Sequence, residues 1–520
     1  MDQNIEPCYT CRNRRIQCDQ SGVPCAKCQK AGLECFDKRP LRWVKGVAIR
    51  GKMQGRSFTG NASNNDKKSA LISIRQSMVQ CRHGQTGKLD FNNFTLDSIP
   101  DSIPNLSFNL QDPSFLHLDR LSRYYIDYYN DRICKLFIVY DSDKNPFRSL
   151  IALGLKDPTL LKALLALAAR HHFNTGQSFN QAEESTEPRF VNANRDALSY
   201  KHQAMEALSN SLRDNQHIKH DTTVASIFLL IFLDLIESGS DGWNFHLEGA
   251  KKLIASTYPP SESQAGVNQG PGGTVQDIRG FITTQIHLIE TLSAAFLRPN
   301  LLSQFSSLSL EEPQVEETIE KSFLGCPEYL LTAIQRLSAQ RDSMAGSMPL
   351  DPVTIASNQR DIISLLDLIR SFDCYAWASS LQWSEESSPQ DTANICLLSQ
   401  AYKIGSLLYG GRILDALTGE ETFQDDLVSE LLGVVDSLKD DPALFKCILW
   451  PVFVAGLECQ WQAQRDFLMT CLEKFWTLTR CLNGVNAAKT LQEYWHQDSP
   501  TARSQWIFNI GNLGRDWLWI

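Results

Sequence analysis

Long apolar runs are scarce in this chain. The longest in its 520 residues, Ala225 to Leu233, stops at Asp234. A helix needs about 20 apolar residues to cross a bilayer, so this run reads as a core helix and no membrane partner is expected. Met1 to Pro7 lacks the apolar core of a secretory signal, which argues against an oxidising compartment and a disulfide framework. Common catalytic motifs are missing too: there is no P-loop, no G-x-S-x-G, no H-E-x-x-H and no G-x-G-x-x-G. The expectation is that the chain is not an enzyme. Alternating apolar and polar runs are absent, which leaves little room for a sheet.

Cysteine is concentrated instead. Of fifteen, six lie in CYTCRNRRIQCDQSGVPCAKCQKAGLEC, at Cys8, Cys11, Cys18, Cys25, Cys28 and Cys35. The unit C-x2-C-x6-C occurs twice, and paired C-x2-C steps mark zinc because two thiolates then reach one tetrahedral ion. Two zinc ions need eight bonds, which six sulfurs supply if two of them bridge; a single four-cysteine site would leave two thiols over. The other nine, such as Cys134, Cys374, Cys447 and Cys459, sit in apolar surroundings and read as buried reduced thiols.

Charge divides the chain in the same place. Residues 1–56 carry twelve Lys/Arg against five Asp/Glu, whereas the whole chain is at −9, leaving about −16 for residues 57–520. A basic head on an acidic body suits phosphate binding. Basic residues continue past Cys35 through Lys38, Arg39, Arg42, Lys45, Arg50, Lys52 and Arg56, a tail able to follow a DNA backbone or serve nuclear import.

The run between the second and third cysteines, Arg12-Asn13-Arg14-Arg15-Ile16-Gln17, resembles the fungal Zn(II)2Cys6 binuclear cluster of transcription factors, whose usual form is Cys-x-x-Cys-Arg-x-Arg-Lys-x-Lys-Cys. The resemblance implies two zinc ions per chain, with Cys8 and Cys25 bridging. Cys11 and Cys18 would complete one ion, Cys28 and Cys35 the other. It also implies that a short helix after Cys11 presents Arg14 and Arg15 to a CGG-like triplet in the major groove, with Arg12 and Gln17 alongside. Gln17 stands where the family has lysine, so one positive contact is missing. The run KRPLRWVKGVAIRGKM, following GVPCAKC, is similar to the group of the fungal acriflavine sensitivity control protein.

Residues 57–111 are rich in Ser, Asn, Gln, Asp and Gly and read as a disordered linker. Leu71, Ile74 and Met78 give one apolar stripe there, ended by Gly84 and Gly87, too short for the coiled coil that joins many family members. A homodimer is left open.

From about Asp112 the periodicity is helical. Leu118, Leu121, Tyr125 and Tyr128 recur at helical steps, and Asp157-Pro158 starts a helix whose LLKALLALAA should be deeply buried. Leu198, Met205, Leu208 and Leu212 suggest an amphipathic helix, and Val224 to Ile236 another. Tyr258 to Gly273 reads as a loop, with a division into two helical lobes near 258–276. Helical patterns resume from Ile278, and Pro451 should kink or break an apolar helix ending at Trp450. Asn145-Pro146-Phe147-Arg148, ALLALAARHH, Trp243-x2-His246-Leu247-x-Gly249-Ala250 and Trp450-Pro451-x-Phe453-x-Ala455-Gly456 resemble the fungal-specific transcription factor domain.

The expected architecture is therefore mostly α: a small zinc cluster module with basic tail (1–56), a linker (57–111) and a large all-α regulatory domain (112–520). His171-His172 read as a helix C-cap rather than ligands. His217 and His220, in a polar loop, have no partner cysteines. Glu458 reads as a surface residue, with Ala455-Gly456 allowing close helix packing. Glu311, Glu312, Glu316 and Glu317 read as a solvated face rather than a recruitment surface. Two function classes follow. One is a nuclear, sequence-specific regulator of RNA polymerase II genes that binds double-stranded DNA and meets transcription machinery or co-regulators. The alternative is a helical scaffold or enzyme whose finger serves protein contacts. The arginine run and basic tail favour the first.

Overall fold

The computed structural model describes residues 7–8, 10–11, 14, 16–19, 25–31 and 35 of the head. It also describes 117–520 apart from 182–185, 214–220, 241, 258–272, 300, 303–321, 347–351, 382–387, 497–504 and 511–515. The linker 57–111 with its Leu71–Met78 stripe, Arg12, Arg15, His217, His220 and the glutamates at 311, 312, 316 and 317 lie outside the described residues. The fold is a small cysteine cluster followed by a large helical region, and no strand occurs among the described residues; Ser240 and Trp517 form an isolated bridge.

The head holds one short helix, α1 (Ala26–Lys30). In the body, α2 (Arg120–Tyr128) passes through a π-helical turn at Tyr129–Ile133 into Cys134–Leu136. Then come α3 (Pro146–Gly154), α4 (Pro158–Thr175), α5 (Pro188–Arg213), α6 (Asp221–Glu237), α7 (Trp243–Thr257) and α8 (Gly273–Ala294). The series continues with α9 (Glu328–Gly346), α10 (Pro352–Ser371), α11 (Cys374–Ser380), α12 (Pro389–Thr418), α13 (Asp425–Leu438) and α14 (Pro442–Phe445). It ends with α15 (Leu449–Glu458), α16 (Gln462–Thr479), α17 (Leu482–Trp495) and α18 (Trp506–Asn509).

A capping residue followed by proline starts four of these helices. Asn145, Asp157, Ser388 and Asp441 accept from the first free backbone N–H groups while Pro146, Pro158, Pro389 and Pro442 occupy the first turn, where a missing N–H costs nothing. Pro451 follows the same rule. It lies in the first turn of α15, which begins at Leu449, so it breaks nothing; the apolar run is the start of a helix rather than its end.

α4 and α6 are the axis of one continuous hydrophobic core. Leu160 and Ala163 to Ala169 are buried on α4, as is every residue from Thr223 to Ile236 on α6. Residues on both sides of 258–272, such as Leu247 and Ile286, contribute to that core. The motif residues of the body are core anchors: Trp243 Nε1 donates to the Asp516 carbonyl and Trp450 Nε1 to the Leu292 carbonyl, each at 3.0 Å. A Cβ on Gly456 would stand 2.6 Å from Leu491, which bears out the close packing read from Ala455-Gly456.

Three further expectations are corrected. On α5 the core side is Phe190, Ala193, Ala197, Tyr200, Ala204 and Leu208, while Leu198, Met205 and Leu212 are exposed. Alanines carry little hydrophobic signal but let helices approach closely, so of the four marked residues only Leu208 lies on the core side. Glu458 is buried, not on the surface: Arg412 Nε donates to its Oε1 at 2.9 Å, and Trp506 Nε1 donates to it at 2.6 Å. Arg412 also bonds Asp415 at 2.9 Å, so the buried cation answers two carboxylates. His171 does not cap its helix, which ends at Gly176; it is buried between Tyr128 and the Thr479 carbonyl. The body cysteines among the described residues are free thiols, seven of them buried.

Candidate metal centre

Cys8 and Cys11 sit at the entry to a helical turn, in which the Arg14 N–H donates to the Thr10 carbonyl (3.2 Å) and the Ile16 N–H to the Cys11 carbonyl (3.1 Å). Cys25 caps α1 and Cys28 lies on its buried side. The chain thereby brings together two four-sulfur sets: Cys8, Cys11, Cys18 and Cys25, and Cys8, Cys25, Cys28 and Cys35. Cys8 and Cys25 belong to both. Cys8, Cys11, Cys25 and Cys28 are buried, Cys18 and Cys35 half-buried.

The donor set fits zinc. Zn–S bonds of about 2.3 Å in a tetrahedron place neighbouring sulfurs about 3.8 Å apart. The Cys8–Cys25 and Cys8–Cys28 sulfurs lie 3.8 Å apart and the Cys11–Cys25 sulfurs 3.7 Å apart. Cys11 and Cys28, one from each set, are also 3.8 Å apart. Backbone groups favour the thiolate at the two shared positions. The Cys11 N–H donates to Cys8 Sγ and the Cys28 N–H to Cys25 Sγ, each at 3.4 Å, and these donors hold both thiols below the ordinary range. Burial pushes Cys11 the other way, to about 12. A cation among the sulfurs removes that opposition by pairing with the thiolates.

Of the proposed DNA-facing residues, Arg14 and Gln17 are exposed on this turn. Two residues that the sequence reading passed over join the halves of the head. Asp19 accepts from the N–H groups of Ala26 (3.1 Å) and Lys27 (3.3 Å), placing a carboxylate at the start of α1. Lys27 Nζ donates to the Gln17 carbonyl at 2.6 Å, which brings an ammonium beside the position that lacks lysine. In one dimension Asp19 and Lys27 are two ordinary charged residues; only closure of the loop makes them partners.

Comparison with known proteins follows the same division. Residues 6–43 match the fungal Zn(2)-Cys(6) binuclear cluster domain, and residues 123–519 match the fungal specific transcription factor domain. The chain is 23% identical over 588 aligned residues to the acriflavine sensitivity control protein acr-2 of Neurospora crassa, covering 98% of this chain and 94% of that protein. It is 46% identical over 43 residues to the transcriptional regulatory protein pro1 of the same fungus, which is 8% of this chain and 6% of that protein. No solved structure matches the chain.

Proposed function

We propose, from the premise that the chain belongs to the family defined by the fungal specific transcription factor domain, that it is a sequence-specific DNA-binding regulator of RNA polymerase II genes, acting in the nucleus. The observation that carries this reading is the pair of four-sulfur sets sharing Cys8 and Cys25, directly beside the exposed turn that bears Arg14. All six cysteines are assigned as ligands of two zinc ions, which supply charge neutralisation and loop closure to a segment too small for its own core. Arg14 and Arg15 are assigned to base edges, where a guanidinium fork engages guanine O6 and N7. Arg12 and Gln17 are assigned to the flanks of that contact. Domain limits of 1–56, 57–111 and 112–520, with regulatory work in the last, complete the proposal.

Selection of bound duplexes from random DNA by the full chain tests it. The expected product is a CGG-like triplet, singly or doubled. Arg15→Ala should weaken the selected site by about 1–3 kcal/mol, more than it weakens random DNA. Equal weakening of both would make Arg15 a phosphate contact, and selection of no sequence would overturn the reading.

A further inference from the structure

The corrected face of α5 leaves a regular feature in solvent. Val191, Leu198, Met205 and Leu212 are 51, 54, 44 and 38% exposed. They recur every seven residues along a helix of 26 residues. Arg195, His202 and Ser209 fall between them, four residues after one apolar position and three before the next, and all three are exposed. This is the spacing of a helix–helix seam with one row apolar and the other polar. It runs beside the face on which Phe190, Ala197, Tyr200 and Ala204 enter the core, about a third of a turn round the helix, so the fold leaves it partly exposed.

We infer that this outer face of α5 is a docking surface for α5 of a second copy of the chain, the two helices antiparallel about a two-fold axis near residue 202. Self-complementarity selects that occupant. The stripe has the same pattern from either end: in an antiparallel pair Val191 lies level with Leu212 of the second copy and Leu198 with Met205. Charge selects the direction. Antiparallel pairing brings Arg195 within about 3 Å, along the axis, of the level of Glu206 in the second copy, on the same flank of the seam. Both are exposed, Glu206 lying 3.9 Å from His202 of its own helix. The symmetry makes that cross-pair twice. A parallel pair would instead set Arg195 level with Arg195 and Glu206 with Glu206.

The apolar stripe is about 32 Å long and one helix face wide, offering roughly 300 Å² per copy against the roughly 800 Å² of a standard interface. The association is accordingly weak and becomes effective when two copies are held close together. On the DNA-binding reading, adjacent sites on one duplex would do so; the solution experiment below does not depend on that reading.

Sedimentation equilibrium of the full, zinc-loaded chain between about 1 and 100 µM is the test. A monomer–dimer equilibrium is expected. Leu198→Glu and Met205→Glu should each raise Kd at least tenfold with unchanged circular dichroism and melting, since both side chains are outside the core. Arg195→Glu and Glu206→Arg should each weaken association several-fold, and the double variant should restore it. A chain monomeric throughout the range, a dimer indifferent to Leu198→Glu, or a charge swap that fails to restore association would each overturn the inference. So would a Leu198→Cys thiol shielded from maleimide in the monomer, which would show that another segment of the same chain covers the stripe.

Discussion

His171 shows how far one residue's surroundings can move its chemistry. Nε2 lies 3.1 Å from the Thr479 carbonyl and donates to it, so Nδ1, 2.8 Å from the Tyr128 hydroxyl, accepts. That is a neutral ring, and burial pushes its pKa down to about 3, with His172 beside it pushed down by burial to about 4. As pH falls below the ordinary histidine range the unfolded chain takes protons that the folded chain refuses. Stability is therefore full above about pH 6.5 and is lost towards pH 3, at up to about 1.4 kcal/mol per pH unit for each ring. Asp127, which burial raises to about 6, titrates with the opposite sign, so the useful quantity is a difference. His171→Gln should lower the urea midpoint at pH 7 yet lose less on going to pH 5 than the natural chain does. Equal losses in the two proteins would mean that His171 is not the acid-sensitive group. Nothing in the sequence separated this histidine from an exposed cap, because its partners are 43 and 308 residues away. Glu458 was misread for the same reason: Arg412 stands 46 residues earlier.

At the scale of elements, legibility followed locality. Asp157-Pro158 announces a helix start because cap and proline act within one turn, and the same signal stands at Asn145-Pro146 and Ser388-Pro389, which were not singled out as starts. The cysteine pattern announces the metal centre because each C-x2-C step spans a single turn, as Cys8–Cys11 and Cys25–Cys28 do. The face of α5 was not legible, since alanines at the contact were chosen by the neighbour they meet rather than by hydrophobicity. Locality also makes the head dependent on metal. Among its described residues the buried cluster consists of Cys8, Cys11, Cys25 and Cys28, with no aliphatic or aromatic side chain among them. A structural zinc in such a segment typically provides about 10–16 kcal/mol of apparent binding energy. Elemental analysis should find two zinc ions per chain. A strong chelator should abolish DNA binding while leaving most of the helical circular dichroism, which comes from α2 to α18. One ion per chain, or a chelated head that still bound DNA, would contradict the ligand assignment.

For the whole molecule the charge distribution sets what each region can contribute to a polyanion. The head holds twelve Lys/Arg against five Asp/Glu, and residues 57–520 carry about −16. Each phosphate neutralised by a basic side chain releases counterion, giving a slope of about −0.9 in log K against log salt for each contact on duplex DNA. The acidic remainder has no such contribution to make and repels phosphate over a Debye length, about 8 Å at physiological salt and longer in dilute buffer. Residues 112–520 alone should therefore show no measurable DNA affinity. The full chain should bind random duplex more weakly than residues 1–60 do at about 0.05 M salt, with the gap narrowing by about 0.2 M as screening removes the repulsion. Fluorescence anisotropy across that salt range checks both statements. If the body alone bound duplex as well as the head does, DNA contacts would have to be sought on its helices, and the division between a basic reader and an acidic regulator would fail.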